Sequence, residues 1–319
     1  MTPQHLFPAL RIVRLCFQMV PESPLPPFLY QGSAWRGILG WELQKLICPF
    51  DRQSRCEACI INASCPYFQL FEKKSSVSGL FDTPRGYVLY PEQEQQGIRL
   101  DLTLFGNCTD FAPALLEALK RAEKRGLGKE RIPFSIQGRI QTGLEHNRQK
   151  NNGSDAMQQG MPDPVRLGDG LNPESDQNSR LHMQLQTPLR LRRQGKYLNR
   201  FDPVFYLEAL ARRLEGLNCL FENGEPLGRE KWEALRSHFQ AHFADQAPSW
   251  RAELRWRDFA RYSNRQKRKV PMGGLIGDVH FFQAPDWLGP WLRAAELVHV
   301  GKGAVMGLGK VRISRRDGD

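Results

Sequence analysis

Seven residues, Gly126-Leu127-Gly128-Lys129-Glu130-Arg131-Ile132, return as Gly307-Leu308-Gly309-Lys310-Val311-Arg312-Ile313 with six of the seven identical. The second copy closes a longer run that begins His299-Val300-Gly301-Lys302-Gly303. Glycines at these spacings let backbone N–H groups converge on an anion, and the adjoining lysines add charge, so phosphate is the ligand such a turn suits. The run is not a Walker A loop, because no Lys-Ser/Thr pair follows a G-x4-G. Nor is it a dinucleotide fingerprint, since position 306 is Met and the run closes a domain instead of opening one. From the glycines alone, a helix-to-strand turn that only needs positive φ reads equally well.

Cleavage of RNA without a metal needs a base for the 2′-OH, an acid for the leaving 5′-oxygen and cations on the phosphate. His299, three residues before Lys302, is the candidate proton carrier at the head of the glycine run. Tyr262, with Arg261 beside it, is the alternative source of proton transfer and charge. His280 lies between Val279 and Phe281 and reads as structural; His5, His146, His182, His238 and His242 have no supporting context.

Basic residues gather around these positions. Arg190, Arg192, Arg193, Lys196 and Arg200 fall within eleven residues, and Arg251, Arg255, Arg257, Arg261, Arg265, Lys267, Arg268 and Lys269 within nineteen. Tyr197, Trp256 and Tyr262 are interleaved with them. Guanidinium groups for phosphates and rings for unstacked bases make the composition of an RNA groove; a solvated basic face is the plain alternative. The expected RNA contacts are Arg190, Arg192, Arg193, Lys196, Arg257, Arg261, Arg265, Gln266, Arg268, Gly301, Gly303, Gly307, Gly309 and Lys310. A net charge of +11 points the same way, toward polyanions.

A second constellation is Cys48-x7-Cys56-x2-Cys59-x5-Cys65. Two thiolates at C-x2-C spacing bite one ion, and two more nearby complete a closed, structural shell. Zinc is the first reading; free or vestigial cysteines and an iron–sulfur cluster are the others. Cys16, Cys108 and Cys219 sit in apolar stretches and read as core thiols. Seven cysteines, an odd number, argue against a disulfide framework. No apolar run approaches the ~20 residues of a membrane span, and Arg11 and Arg14 interrupt the first apolar stretch, so a cytoplasmic protein is expected.

The elements that must position these residues follow from periodicity. A first strand is expected over 7–20, and a helix over 33–47 with Ser33 as N-cap and Trp35, Ile38, Leu39, Leu43, Leu46 and Ile47 apolar. Strands follow at 86–92 and 97–106, then a helix capped by Asp110 and ended by Gly126, then a strand over 132–141. The second half repeats the order: a strand 181–191, a helix 203–221, extra helix within 222–250, strands 252–262 and 273–283, a helix 287–298 and a strand 304–314. Each half is β-α-β-β-α-β, so the expected fold is α+β with tandem ferredoxin-like domains, 1–141 and 181–319, and a Cys-rich insertion at 48–65. Residues 142–180, rich in Asn, Gln, Asp, Gly and Ser, read as a flexible linker.

Taken in order, these pieces resemble the RAMP superfamily of CRISPR-associated proteins, nearest the branch of precursor-RNA-processing endoribonucleases that cut CRISPR repeats. The matching segments are Tyr30-Gln31-Gly32-Ser33-Ala34-Trp35-Arg36-Gly37-Ile38-Leu39-Gly40, the four cysteines with Pro66-Tyr67, and Thr187-Pro188-Leu189-Arg190-Leu191. Further along come Arg261-Tyr262-Ser263-Asn264-Arg265-Gln266, Gly273-Gly274-Leu275-Ile276-Gly277 and the glycine run. The resemblance implies metal-independent cleavage by 2′-OH attack, a 2′,3′-cyclic phosphate product, no catalytic metal, and a guide RNA kept within an effector complex of other CRISPR subunits. No histidine follows the first helix, where many members keep theirs, so Arg36 becomes the candidate contact to the scissile phosphate. Met306 stands where an aromatic residue is common. Two rival readings remain: a non-catalytic RAMP subunit that coats guide RNA, and an unrelated zinc-stabilised RNA-binding module.

Overall fold

The computed structural model describes residues 1–23, 31–50, 55–74, 83–95, 97–127, 130–140, 161–170, 179–243, 249–263 and 267–316. Tyr30, Gly128, Lys129, Arg265, Gln266 and most of the expected linker lie outside the described residues. The chain divides into two compact units, Leu10–Arg166 with Cys219–Asn223, and Leu167–Asn218 with Met1–Ala9 and Gly224–Asp319. The first nine residues join the second unit because Trp291 Nε1 donates to Met1 O at 3.0 Å and Gly168 N to Pro8 O at 3.1 Å.

The N-terminal unit runs β1 (Arg11–Pro21), α1 (Gly32–Ile47), β2 (Tyr87–Glu94), β3 (Gly97–Phe105), α2 (Ala112–Arg125) and β4 (Phe134–Ile140). Its sheet is ordered β2-β3-β1-β4, antiparallel throughout, with Leu15 opposite both Leu102 and Ile140. Alternation on β1 sends Val13, Leu15, Phe17 and Met19 into the core, where they meet Trp35, Leu39 and Leu43 of α1 and Leu115 and Leu119 of α2, all buried. Each such side chain contributes about 1.5–3 kcal/mol of transfer free energy.

The C-terminal unit runs β5 (Ser179–Leu189), α3 (Pro203–Phe221), α4 (Gly228–Phe243), β6 (Trp250–Arg257), β7 (Ala260–Ser263), β8 (Arg268–Pro271), β9 (Gly274–Ala284), α5 (Leu288–Val298) and β10 (Val311–Arg316). Its four-stranded sheet is ordered β10-β5-β9-β6 and again antiparallel. Both units are therefore ferredoxin-like, in the α+β class. Two hairpins decorate the second: β7–β8, and the short pair Arg192–Arg193 with Lys196–Tyr197. The added helix α4 is tied to α3 by Glu215, whose Oε1 accepts Leu227 N at 2.8 Å and Trp232 Nε1 at 3.0 Å.

Several boundaries differ from expectation for local reasons. Gln31, not Ser33, precedes the first turn of α1. Asp110 lies in a 3₁₀ turn, Gly106–Phe111, and faces Arg11 at 3.4 Å instead of capping α2. The strand expected over 252–262 breaks after Arg257, where Asp258 Oδ1 accepts Trp256 Nε1 at 2.7 Å. The last strand starts at Val311, because Ala304–Met306 forms a 3₁₀ turn between left-handed Gly303 and Gly307. Within the expected linker, Val165–Arg166 pairs with β1 and Leu167–Gly170 is helical. Among the described residues no helix is long and apolar enough to cross a membrane.

Candidate nucleic-acid interface

Helix α5 ends at Val298, and His299 turns the chain with φ 54° and ψ 156°, a conformation glycine adopts far more readily. Its side chain is only 2% exposed. The imidazole expected to carry the proton is enclosed in this conformation. The buried flanking residues Val298 and Val300 explain why: they draw the helix end into the core.

The loop that follows is stapled to the end of β5. Lys302 N donates to Arg190 O at 2.9 Å, Gly309 N to Pro188 O at 3.1 Å, and Val300 N to Gly309 O at 3.2 Å. Thr187 Oγ1 donates to Gly307 O at 2.8 Å and accepts Lys310 N at 2.9 Å. Gly301 has φ 91°, and a Cβ there would stand 2.7 Å from Arg190 O, so only glycine permits this approach. Among the described residues, the amides of Gly301, Gly303 and Val305 make no short hydrogen bond to a main-chain acceptor, while Ala304 between them is buried. These are the amides left for an anion, and Lys302 stands half-exposed among them.

Arg190 joins this loop to both hairpins. Its guanidinium donates Nη2 to Pro271 O at 3.1 Å, at the end of β8, and lies 4.5 Å from the ring centroid of Tyr197. Its own backbone carries the glycine loop through Lys302 N and a bridge to Gly301. Arg190, expected to contact RNA, is 7% exposed and braces the two hairpins. Lys310, also expected to contact RNA, is buried, and its Nζ donates to Glu296 O at 3.1 Å in α5. Arg192, Arg193, Lys196, Arg257 and Arg268 are exposed, and Arg261 is half-exposed. Tyr262 pairs with Lys269 across the β7–β8 hairpin.

In the N-terminal unit, Arg36 lies on α1 with its guanidinium 5.1 Å from the Phe71 ring centroid. Phe71 stacks on Tyr67 at 5.4 Å and 8°, on a π-helical turn, Phe68–Glu72. Gly40 makes the seat: a Cβ there would stand 2.6 Å from the Phe71 ring. Burial, with the Glu72 carboxylate nearby, pushes the Tyr67 hydroxyl up to about 12.

All seven cysteines are free thiols. Cys108 is buried, and burial pushes it up to about 12, while Cys16 and Cys219 are half-buried. The thiol of Cys56 is raised by burial first, then by Glu72, Cys48, Cys65 and Cys59, so the four cysteines of the insertion share one electrostatic field. Among the described residues no three His, Cys, Asp or Glu groups gather at metal-binding distance; Cys48 Sγ donates to Phe50 O at 3.4 Å instead. The donor set suits a thiophilic ion, although the sulfurs do not converge on one point.

Sequence reasoning passed over His182. Its Nε2 lies 2.7 Å from Asp278 Oδ1, its Nδ1 lies 3.1 Å from Ser314 Oγ, and its ring stacks on His280 at 4.8 Å. These residues come from three strands, and only the register of β5, β9 and β10 joins them.

Residues 183–311 match the family described as CRISPR-associated endoribonuclease Cas6, and residues 7–159 match one described as an N-terminal domain. No curated protein matches the chain. Among solved structures, a Cas6 product complex aligns with a TM-score of 0.56 and 16% identity, over 96% of this chain and 100% of that one. Thermus thermophilus Cas6 aligns at 0.53 and 16%, over 96% and 98%. A product complex of a second Cas6 aligns at 0.52 and 15%, over 95% and 99%. At such identities these structures speak for the fold, which they share over nearly the whole chain. The Cas6 family match is thus carried by residues 183–311, and the fold over nearly the whole chain is the one seen in solved Cas6 structures.

Proposed function

We propose that the chain cuts within a CRISPR repeat by metal-independent attack of a 2′-OH on the adjacent phosphate. The 2′-oxygen bonds to phosphorus, the bond to the 5′-oxygen breaks, and the proton lost from the 2′-OH is balanced by one delivered to that oxygen. The products are a 2′,3′-cyclic phosphate and a 5′-OH. The observation that carries the reading is the glycine loop: the amides of Gly301, Gly303 and Val305 with Lys302, braced by Arg190 beside two basic hairpins. Lys302 and Tyr262 share proton transfer and charge compensation. On the N-terminal unit, Arg36 takes a phosphate of the RNA. Arg192, Arg193, Lys196, Arg257, Arg261 and Arg268, with Arg265 and Gln266, grip the repeat. The guide RNA stays bound, within a cytoplasmic effector complex of other CRISPR subunits. Cys48, Cys56, Cys59 and Cys65 hold a structural zinc ion; the support is a set of four free thiols in one short insertion.

A denaturing gel of repeat RNA incubated with the protein in excess EDTA tests the reading. A single cut with a cyclic phosphate end is expected. Lys302→Ala should slow single-turnover cleavage by about 10²–10⁴-fold. Cleavage by that variant at the wild-type rate would remove Lys302 from the chemistry. The enclosure of His299 favours one second reading, a guide-RNA-coating subunit without activity. Tight binding with no cut at any pH would establish it.

A further inference from the structure

The side of the C-terminal sheet away from the core carries a polar cluster for which the proposed cleavage has no use. Register places Ser314, His182, His280 and Arg251 in one cross-strand row, and Arg312, Gln184, Asp278 and Glu253 in the next. Leu181, Met183, Val279 and Phe281 alternate with them and are buried on the opposite side. In the first row the imidazoles of His182 and His280 stack with centroids 4.8 Å apart and planes 13° from parallel. His182 is held at both nitrogens, by Asp278 at 2.7 Å and Ser314 at 3.1 Å. Both acids on this face are partnered, Asp278 by His182 and Glu253 by Arg251 at 3.0 Å. Arg255 and Arg312 are exposed around them, so the face is basic on balance.

Flat rings on the two central strands, rimmed by guanidinium groups and edged by an amide, a hydroxyl and a carboxylate, match one chemistry. An unstacked nucleobase offers a π-face, a polar edge and a flanking phosphate together, whereas a duplex hides the first. We propose that this face holds the single-stranded RNA that flanks the repeat hairpin. One base stacks on the His182–His280 pair, Gln184 and Asp278 meet its edge, and Arg251, Arg255 and Arg312 take the phosphates. The proposal rests on the repeat-processing reading and extends it from the cut to the unpaired flank.

The test compares two fluorescent RNAs, the full repeat and its hairpin without the flank, by anisotropy titration. His280→Ala should weaken binding of the full repeat by about 5–150-fold, the range for loss of one base–ring stack. Affinity for the bare hairpin should stay within about twofold, and His280→Phe, which keeps a flat ring, should restore the full repeat. A second variant guards against a folding defect in the first: Arg312→Ala should reduce the slope of log affinity against log salt by about 0.7 for the full repeat alone. The proposal is overturned if these variants bind the full repeat like wild type, or weaken both RNAs equally. Wild-type protein that binds neither RNA would overturn the repeat-processing reading itself, which separates the two failures.

Discussion

Arg190 holds the 192–197 and β7–β8 hairpins with its side chain and the glycine loop with its main chain, so Arg190→Ala should loosen both hairpins and leave the loop bonded. Its bond to Pro271 O at 3.1 Å is charge-assisted and contributes about 1.5–3 kcal/mol. The contact with Tyr197 at 4.5 Å, on a ring 40% exposed, adds about 0.5–1 kcal/mol. The expected loss is about 2–4 kcal/mol, which raises local opening roughly 30- to 800-fold at 1.4 kcal/mol per factor of ten. Hydrogen exchange reads this directly. The amides of Lys302, Leu198 and Met272, bonded to Arg190 O, Leu191 O and Phe259 O, report on the three elements separately. Leu198 and Met272 should exchange faster in the variant, and Lys302, whose bond to the Arg190 carbonyl survives the substitution, should not. Arg190→Lys keeps a charge but loses the planar fork, and should fall between. Unchanged exchange, or acceleration in one element alone, would refute the bracing argument.

Thr187→Val removes a hydroxyl that serves Gly307 O and Lys310 N at once, and should destabilise the C-terminal unit by about 1–3 kcal/mol in urea denaturation. His238 and His242, packed against Trp287 at 4.7 and 5.5 Å, both have their pKa lowered by burial, with the N-terminal amine adding to the effect at His238. A depressed folded pKa means that their contribution is present above the unfolded histidine value and lost as pH falls through it. The urea midpoint should therefore drop from pH 7.5 to 5.5, with a smaller drop in the His238→Gln/His242→Gln protein. A chelator should lower the melting temperature while leaving residual cleavage, and metal analysis finding neither zinc nor iron would end the metal assignment.

What was legible in the sequence was what repeats with a period. The strands carrying Leu100, Leu102 and Leu104, and the helix carrying Leu115 and Leu119, could be read because alternation and the 3.6-residue stripe state which face is buried. Residues that act through cross-chain register were not legible. His182 meets Asp278 and Ser314 only because β5, β9 and β10 align, and nothing within five residues of His182 announces it. Charge was read too simply. Arg190 and Lys310 looked like two more basic residues for RNA, yet each is enclosed and spends its donors on main-chain carbonyls of the scaffold. A guanidinium bonded to a carbonyl and a thioether and laid on an aromatic ring leaves no mark in composition that separates it from one on the surface.

The repeated heptapeptide carries a sharper lesson about how the two units diverged in use. In the N-terminal unit Gly126 caps α2 directly at φ 76°, and Leu127 pairs at once with Ile132, so the motif closes on itself. In the C-terminal unit α5 ends at Val298, and eight residues, His299 to Met306, stand between the helix and Gly307. That interval contains Lys302 and the amides of Gly301, Gly303 and Val305. In both units the motif begins in sequence ahead of the last strand, Phe134–Ile140 in the first and Val311–Arg316 in the second. The phosphate-binding role we propose therefore belongs to the added interval and not to the shared motif. Deleting Gly301–Val305 should leave the β5–β10 ladder intact by hydrogen exchange while abolishing repeat cleavage; a deletion that unfolds the ladder would show that the interval is part of the scaffold after all.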